Sequence, residues 1–136
     1  METWKMVDPV PGDHIRVAYR NYYHHGIYIG NDEVVEFGEA SAVLKPAEDV
    51  MVHKTTVEEF LQGGFLEVRQ YNLKEKRKKN SREKIIETAL SKIGEKGYNF
   101  LFNNCEHFSN ICVFNEKKST QVDNVHEEIR KKLNLK

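Results

Sequence analysis

A cysteine at the predicted start of a helix is the residue in this sequence best suited to nucleophilic chemistry. Asn103 and Asn104 precede a helical pattern and can cap it, which places Cys105 in the first helical turn. The unpaired backbone N–H groups and the positive end of the helix dipole favour a thiolate there, and they can also donate to an oxyanion at an attacked carbonyl. Free cysteines are also commonly ordinary core residues, which stays open for Cys105 and is our assignment for Cys112.

Two adjacent histidines are the candidate general bases that could activate this cysteine. They lie within residues 22–29, a segment rich in the aromatic and β-branched residues typical of a strand. Alternate residues of a strand share a face, so His24 and His25 point to opposite sides of the sheet. The face of His24 also carries Tyr22 and Tyr28, whereas the face of His25 continues into apolar residues. The even-numbered face is therefore the candidate site, although either histidine can be an ordinary hydrogen-bonded residue of the sheet.

A glutamate on the next predicted strand is the third candidate. The two strands form a hairpin about a short polar loop. If a three-residue loop at 30–32 sets the register, Glu36 lies opposite Gly26 and diagonal to His24, within reach of long side chains. A two-residue loop would reverse this pairing and place Glu36 with the neighbours of His25. The sequence leaves both registers open.

Strands in the first half of the chain and helices in the second half must position these residues. The predicted strands are 14–19, 22–29, 33–37, 49–53 and 65–70. The predicted helices are 56–61, 81–93, 104–113 and 122–133, and a charged connector is predicted at 74–79. This order indicates an α+β fold, in which an antiparallel sheet packs against helices. We expect Cys105, at a helix N-terminus, to face His24 on its strand.

Length and composition limit the classes of function. The 136 residues, 39% of them hydrophobic, are enough for one domain with a single core. Lysine plus arginine and aspartate plus glutamate number 21 each, so net charge gives no reason to expect a nucleic-acid partner. A basic run at 74–82 has no interleaved aromatic residues for base stacking. It is either an ordinary solvated loop or a surface for peripheral membrane contact.

Other patterns bear on compartment and cofactors. No apolar run is long enough to span a bilayer, and the start of the chain does not resemble a signal peptide. Cys105 and Cys112 lie seven residues apart in one predicted helix, too far apart for a disulfide, so we expect two free thiols and a cytoplasmic location. His107 lies near Cys105, but no spacing typical of zinc ligands occurs, so we expect no metal and no cofactor.

Three segments together resemble one protein family. They are Pro11-Gly12-Asp13, the stretch His24-His25-Gly26-Ile27-Tyr28-Ile29-Gly30, and Asn104-Cys105-Glu106-His107-Phe108. The sequence resembles the lecithin:retinol acyltransferase-like family, including its small phospholipase/acyltransferases, over about residues 9–122 of a single domain spanning 1–136, with 123–136 as a polar C-terminal helix. The resemblance implies a circularly permuted, papain-like (NlpC-type) fold. It also implies Cys105 as nucleophile, His24 as its partner and Tyr22 in oxyanion stabilisation.

The sequence departs from the family pattern in two places. The third catalytic position is often a second histidine in animal members, and here it is Glu36, whose carboxylate can still orient an imidazole. Many animal members also carry a hydrophobic C-terminal anchor, whereas this sequence ends in the charged segment 126–136.

These observations predict a thiol acyltransferase or hydrolase that forms an acyl-thioester on Cys105. The resemblance implies phospholipid or other acyl-lipid esters as substrates, whereas the residues alone imply only an activated carbonyl, with Glu36 orienting His24. Two alternatives stay open. One is a cysteine amidase or peptidase of the NlpC-type superfamily, and the other is a non-catalytic binding module.

Overall fold

A six-stranded antiparallel sheet organises the chain, with strand order β1-β6-β2-β3-β4-β5. The structure is a computed structural model and describes residues 2–99, 104–116 and Glu127. The strands are β1 (Thr3–Lys5), β2 (His14–Tyr19), β3 (Tyr22–Gly30), β4 (Glu33–Phe37), β5 (Val52–Thr56) and β6 (Glu67–Gln70). The helices are α1 (Val57–Leu61), α2 (Leu73–Lys78), α3 (Arg82–Ser91) and α4 (Cys105–Phe114). The predicted α+β class with an antiparallel sheet is confirmed.

Helices cover both faces of the sheet. On what we call the α4 face, sheet residues pack against α3 and α4; the buried residues there include Ile27, Val35, Phe37, Val52, Ile85, Phe108 and Cys112. On what we call the α1 face, sheet residues pack around Phe60 of α1; the buried residues there are Ile15, Val17, Val34, Phe60 and Val68. Odd-numbered residues of β3 therefore point towards α4, and even-numbered residues point towards α1.

The β3–β4 hairpin has the predicted pairing but not the predicted loop. Asn31 and Asp32 form a two-residue turn with φ angles of 53° and 64°. Such positive φ angles suit the tight turn of a hairpin. A register shift between Tyr28 and Gly30 then restores the even-with-even register, so that Gly26 lies opposite Glu36. The prediction that a two-residue loop would reverse the pairing was wrong, because it did not include a bulge.

The predicted helix starts at Thr56, Ser81 and Asn104 are confirmed. The Thr56 hydroxyl accepts a hydrogen bond from the Glu59 amide at 3.2 Å. The Ser81 hydroxyl accepts one from the Lys84 amide at 3.1 Å. Each side chain satisfies an amide that the helix itself leaves without a partner, which is why these residue types mark helix starts.

Other predictions of helices and strands were wrong or concern residues outside the described ranges. Residues 74–79 are mostly helix α2 rather than a connector, and Asn72 and Glu75 form its capping box. β5 spans 52–56 instead of 49–53, and β1 had not been predicted. The helix predicted at 122–133 lies, apart from Glu127, outside the described residues. Within the described part of the chain, no helix has the length and apolar character needed to cross a membrane.

Candidate active site

The N-terminal cap of α4 fixes the position of Cys105. The Asn104 side chain accepts hydrogen bonds from the amides of Glu106 and His107, each at 3.0 Å. The His107 ring in turn accepts the Asn104 amide proton at 3.0 Å. The cap thus uses two amides of the first turn and does not use the amide of Cys105 itself. Cys105 is the first residue of the helix, is 5% exposed and is a free thiol, as is Cys112.

The Cys105 sulfur lies at an open stretch of the edge of β3. β4 pairs with β3 only from Gly26 to Gly30. The Tyr28 amide donates to Asp13 on the β2 side, so the odd-numbered amides point to the other edge, where β4 lies. Past the last paired residue, the His25 amide meets the Cys105 sulfur at 3.4 Å. A backbone N–H therefore points at the sulfur from the place that β4 leaves uncovered.

His24 links this sulfur to a buried carboxylate. Its Nε2 donates to Glu36 Oε1 at 2.7 Å, and its ring packs 4.8 Å from the Phe60 ring. Burial would lower the pKa of His24, but hydrogen bonds with Cys105 and Glu36, and the charges of both groups, raise that pKa to about 9. Because Nε2 is hydrogen-bonded to Glu36, Nδ1 is the ring nitrogen left to exchange a proton with Cys105.

The helix of Cys105 approaches from the face opposite to His24. α4 packs against the odd-numbered residues of β3, including Ile27. His24 instead lies on the α1 face with Phe60. The two groups meet only because Cys105 is at the very end of its helix and reaches the uncovered edge of the strand. The structure thus places the Cys105 sulfur at the strand that carries His24, as the sequence predicts.

His53 on β5 is a site residue that sequence reasoning missed. It lies directly opposite Glu36 in the sheet, and its Nε2 is 2.6 Å from Glu36 Oε2. Burial would raise the pKa of Glu36, but the hydrogen bonds from His24 and His53 hold that pKa below its usual value. Each oxygen of this buried carboxylate therefore has its own imidazole partner.

Two tyrosines lie near the sulfur. The Tyr22 hydroxyl donates to the Ala40 carbonyl, and burial is the main reason that the pKa of Tyr22 rises to about 12, with the charge of Cys105 contributing. Burial and the charge of Cys105 also raise the pKa of Tyr98, which the sequence had not suggested. Both phenols stay protonated at neutral pH, so both can act as hydrogen-bond donors.

Comparisons with known proteins place this chain in a family. The chain matches the family model described as lecithin retinol acyltransferase over residues 7–118, a span that includes Tyr22, His24, Glu36 and Cys105. The chain belongs to the lecithin retinol acyltransferase family. The resemblance seen in the sequence is thereby confirmed, whereas the circular permutation stays a prediction.

Individual members of the family are distant relatives. The lecithin retinol acyltransferases of Rattus norvegicus and Homo sapiens are each 24% identical, over 88% of this chain and 60% of theirs. Phospholipase A and acyltransferase 1 of Homo sapiens is 28% identical, over 85% of this chain and 74% of its own length. The chain thus spans about 60% of the length of the lecithin retinol acyltransferases that it matches.

In this family member, a cavity of about 590 Å³ lies beside α4 but away from the four candidate residues. Trp4, Arg69 and Phe114 are among its lining residues. In the described parts of the chain, no group of three or more His, Cys, Asp or Glu side chains is arranged to hold a metal ion.

His25, the second histidine of the adjacent pair, is packed in the protein interior with its ring away from His24. The His25 ring lies on the α4 face, 2.8 Å from His14 between ring nitrogens and 5.6 Å from the Trp4 ring. Burial, followed by the charge of His24, lowers the pKa of His25 to about 3. Burial and the nearby charges of His25, Arg69 and Arg16 likewise lower the pKa of His14 well below its usual value. Both rings are therefore buried in the neutral form.

This neutral pair is expected to make the fold acid-sensitive. Below about pH 6.5, unfolded histidines bind protons that folded His14 and His25 do not, down to about pH 3 for His25, so the free energy of unfolding falls as the pH falls. Below about pH 6, His24 and His53 are protonated in both states and do not offset this loss. Urea unfolding should show a loss of about 2 kcal/mol per pH unit between pH 6 and 4.5.

Substitution of the two histidines tests whether they cause the pH dependence of the free energy of unfolding. The double variant His14→Leu, His25→Leu should flatten the pH dependence in this range, whatever its stability at pH 7. An unfolding free energy that does not change between pH 6 and 4.5 in the unmodified protein would contradict the assignment.

Proposed function

We propose that this chain is a cysteine-dependent acyltransferase and phospholipase-like hydrolase that acts on phospholipid or other acyl-lipid esters. The names of its relatives, lecithin retinol acyltransferase and phospholipase A and acyltransferase, support a lipid ester as substrate. One observation carries the chemistry: Cys105 begins a helix, its sulfur meets the backbone of β3 at the His25 amide, and the adjacent His24 donates to buried Glu36. This is the arrangement of nucleophile, base and orienting acid that acyl transfer requires.

In the first half-reaction, His24 Nδ1 takes the proton of the Cys105 thiol, or already holds that proton as an imidazolium paired with the thiolate. The thiolate attacks the ester carbonyl carbon, forming a C–S bond and an oxyanion. The Cys105 amide and the Tyr22 hydroxyl, once released from the Ala40 carbonyl, donate to that oxyanion. The intermediate then expels the alcohol oxygen, which takes the proton back from His24 and leaves an acyl-thioester on Cys105.

In the second half-reaction, an acceptor replaces the alcohol. Water, an alcohol or an amine loses a proton to His24 Nδ1 and attacks the thioester carbonyl, and the C–S bond breaks. The proton on His24 returns to the departing Cys105 sulfur. Glu36 keeps a proton on Nε2 in every step and so directs the lone pair of Nδ1 to the sulfur. No metal or cofactor enters these steps.

We further propose that the protein works in the cytoplasm at a lipid surface. The exposed basic residues of α2 are Lys74, Lys76, Arg77 and Lys78. Each basic residue is worth about 1 kcal/mol at an anionic membrane surface, so this helix can bring the protein to its substrate without a membrane span.

Trapping the intermediate tests the proposed function. The protein is incubated with phosphatidylcholine labelled in its acyl chain, acid-quenched and digested. We expect the label on the peptide that contains Cys105 and expect neutral hydroxylamine to release it, because hydroxylamine cleaves thioesters. The variant Cys112→Ala should label like the unmodified protein.

Other outcomes select the alternatives. Trapping by a short peptide amide but not by lipid would indicate the amidase or peptidase. An absence of label with every ester and amide, in a protein that stays folded, would indicate a binding module. A hydroxylamine-stable label away from Cys105 would contradict the thioester.

A further inference from the structure

We propose that His53 is a positioning residue that holds Glu36 by its second carboxylate oxygen, so that Glu36 in turn holds His24 for reaction with Cys105. This inference rests on the proposed function and extends it by a fourth residue. Hydrogen bonds link His24 to Glu36 and Glu36 to His53, and the Cys105 sulfur lies at the backbone amide of His25, the residue next to His24.

The surroundings of the His53 ring define its protonation. Its Nε2 is 2.6 Å from Glu36 Oε2, and its Nδ1 is 3.1 Å from the Met51 carbonyl oxygen. Both neighbours are acceptors when Glu36 is ionised, so both ring nitrogens must donate. A neutral imidazole has only one N–H, and therefore His53 is an imidazolium in this arrangement.

A cation at this position compensates the buried negative charge of Glu36. The carboxylate is 2% exposed, and a buried carboxylate with too few donors is costly and tends to take up a proton. His24 changes between neutral and cationic forms during the proposed reaction, so it cannot compensate Glu36 at every step. His53 can, because it takes no part in the proposed proton transfers and its imidazolium donates to Glu36 throughout.

The polar groups around His53 also favour its protonated form. The hydrogen bond with Glu36 is the main reason that the pKa of His53 lies above its usual value, although partial burial opposes it. Glu39, which follows β4 and pairs with Lys45 at 2.9 Å, adds a smaller favourable charge, as does the Met51 carbonyl. Loss of His53 would remove one donor and one cation from Glu36, and the pKa of Glu36 should rise.

Two substitutions separate the hydrogen bond from mere packing. His53→Leu removes the donor, whereas the amide nitrogen of His53→Gln can occupy the place of Nε2. We expect His53→Leu to lower kcat for ester turnover by 10- to 100-fold (about the range for lost supporting hydrogen bonds), with KM changed less than about threefold. His53→Gln should recover part of this loss, because its amide restores the hydrogen-bond donor but not the positive charge. Lys54→Leu is the matched control, because Lys54 is the next residue of β5 and, among the ion pairs of the described residues, bonds only half-buried Glu33.

Two measurements on the protein without lipid keep this inference separate from the proposed function. Nitrogen-15 NMR of the histidine rings should show His53 doubly protonated at pH 7 and titrating above its usual pKa of about 6.5, and Glu36→Gln should lower that value. The pH profile of Cys105 alkylation by iodoacetamide should move its acid limb up by about one unit in His53→Leu, because a protonated Glu36 no longer supports the His24 imidazolium.

The results have distinct meanings. A His53 ring with a single proton at pH 7, or equal losses of kcat in His53→Leu and His53→Gln, would overturn the positioning role. An alkylation profile unchanged in His53→Leu would overturn it too. If no lipid ester reacts but the NMR and alkylation results are as expected, the proposed substrate is wrong and the role of His53 stands.

Discussion

Replacing Cys105 with alanine is expected to lower ester turnover by about 10⁴-fold or more, because the proposed thioester can no longer form. The binding surface and the oxyanion donors remain, so a small residual rate is expected. The side chain is small and the helix cap is made by Asn104, so the fold should survive. Steady-state rates with phosphatidylcholine, together with thermal unfolding of both proteins, measure the effect.

Cys112 provides the control within the same helix. It is fully buried in the middle of α4, and burial raises its pKa to about 12, so it is a thiol at neutral pH. Cys112→Ala should keep turnover within about threefold and lose a little stability from the vacated volume. Equal losses in the two variants would mean that the activity depends on the packing of α4 and not on the thiolate of Cys105.

The local features of this site could be predicted from the sequence because short-range chemistry determines them. Asn104 marks the start of α4 by its capping side chain, and alternation along β3 separates His24 from His25. The same alternation, continued through the hairpin, places Glu36 on the side of His24. Even an error about the loop did not matter there, because a bulge compensated for the shorter turn.

Features that depend on distant strands could not be predicted in the same way. His53 lies at the end of the strand predicted at 49–53, where no pairing with β4 could be read. The observed strand begins three residues later, and its register against β4 is what brings His53 to Glu36. The uncovered edge of β3, where the Cys105 sulfur meets the His25 amide, likewise exists only after β4 has ended. A sequence pattern gives the face of a residue but not the place where a neighbouring strand stops.

The adjacent histidines test whether the face of the strand decides which residue acts on Cys105, because their side chains point to opposite faces of β3. His24→Gln should lower ester turnover by about 10³-fold, since glutamine can neither take the thiol proton nor return it to the leaving group. Alkylation of Cys105 below pH 8 should also become slow, because no imidazolium remains to stabilise the thiolate. Rates of turnover and of iodoacetamide alkylation between pH 5 and 9 measure both effects.

His25→Gln is the matched variant, and its expected effect is of a different kind. The contact of His25 with the Cys105 sulfur is made by the backbone amide at 3.4 Å, which any residue except proline supplies. The His25 ring instead belongs to the buried pair with His14, so its loss should lower the free energy of unfolding and change turnover by less than about tenfold. The reverse result, with His25→Gln inactive and His24→Gln active, would show that the sulfur is served from the α4 face, and the even-numbered face of β3 would then lose its proposed role.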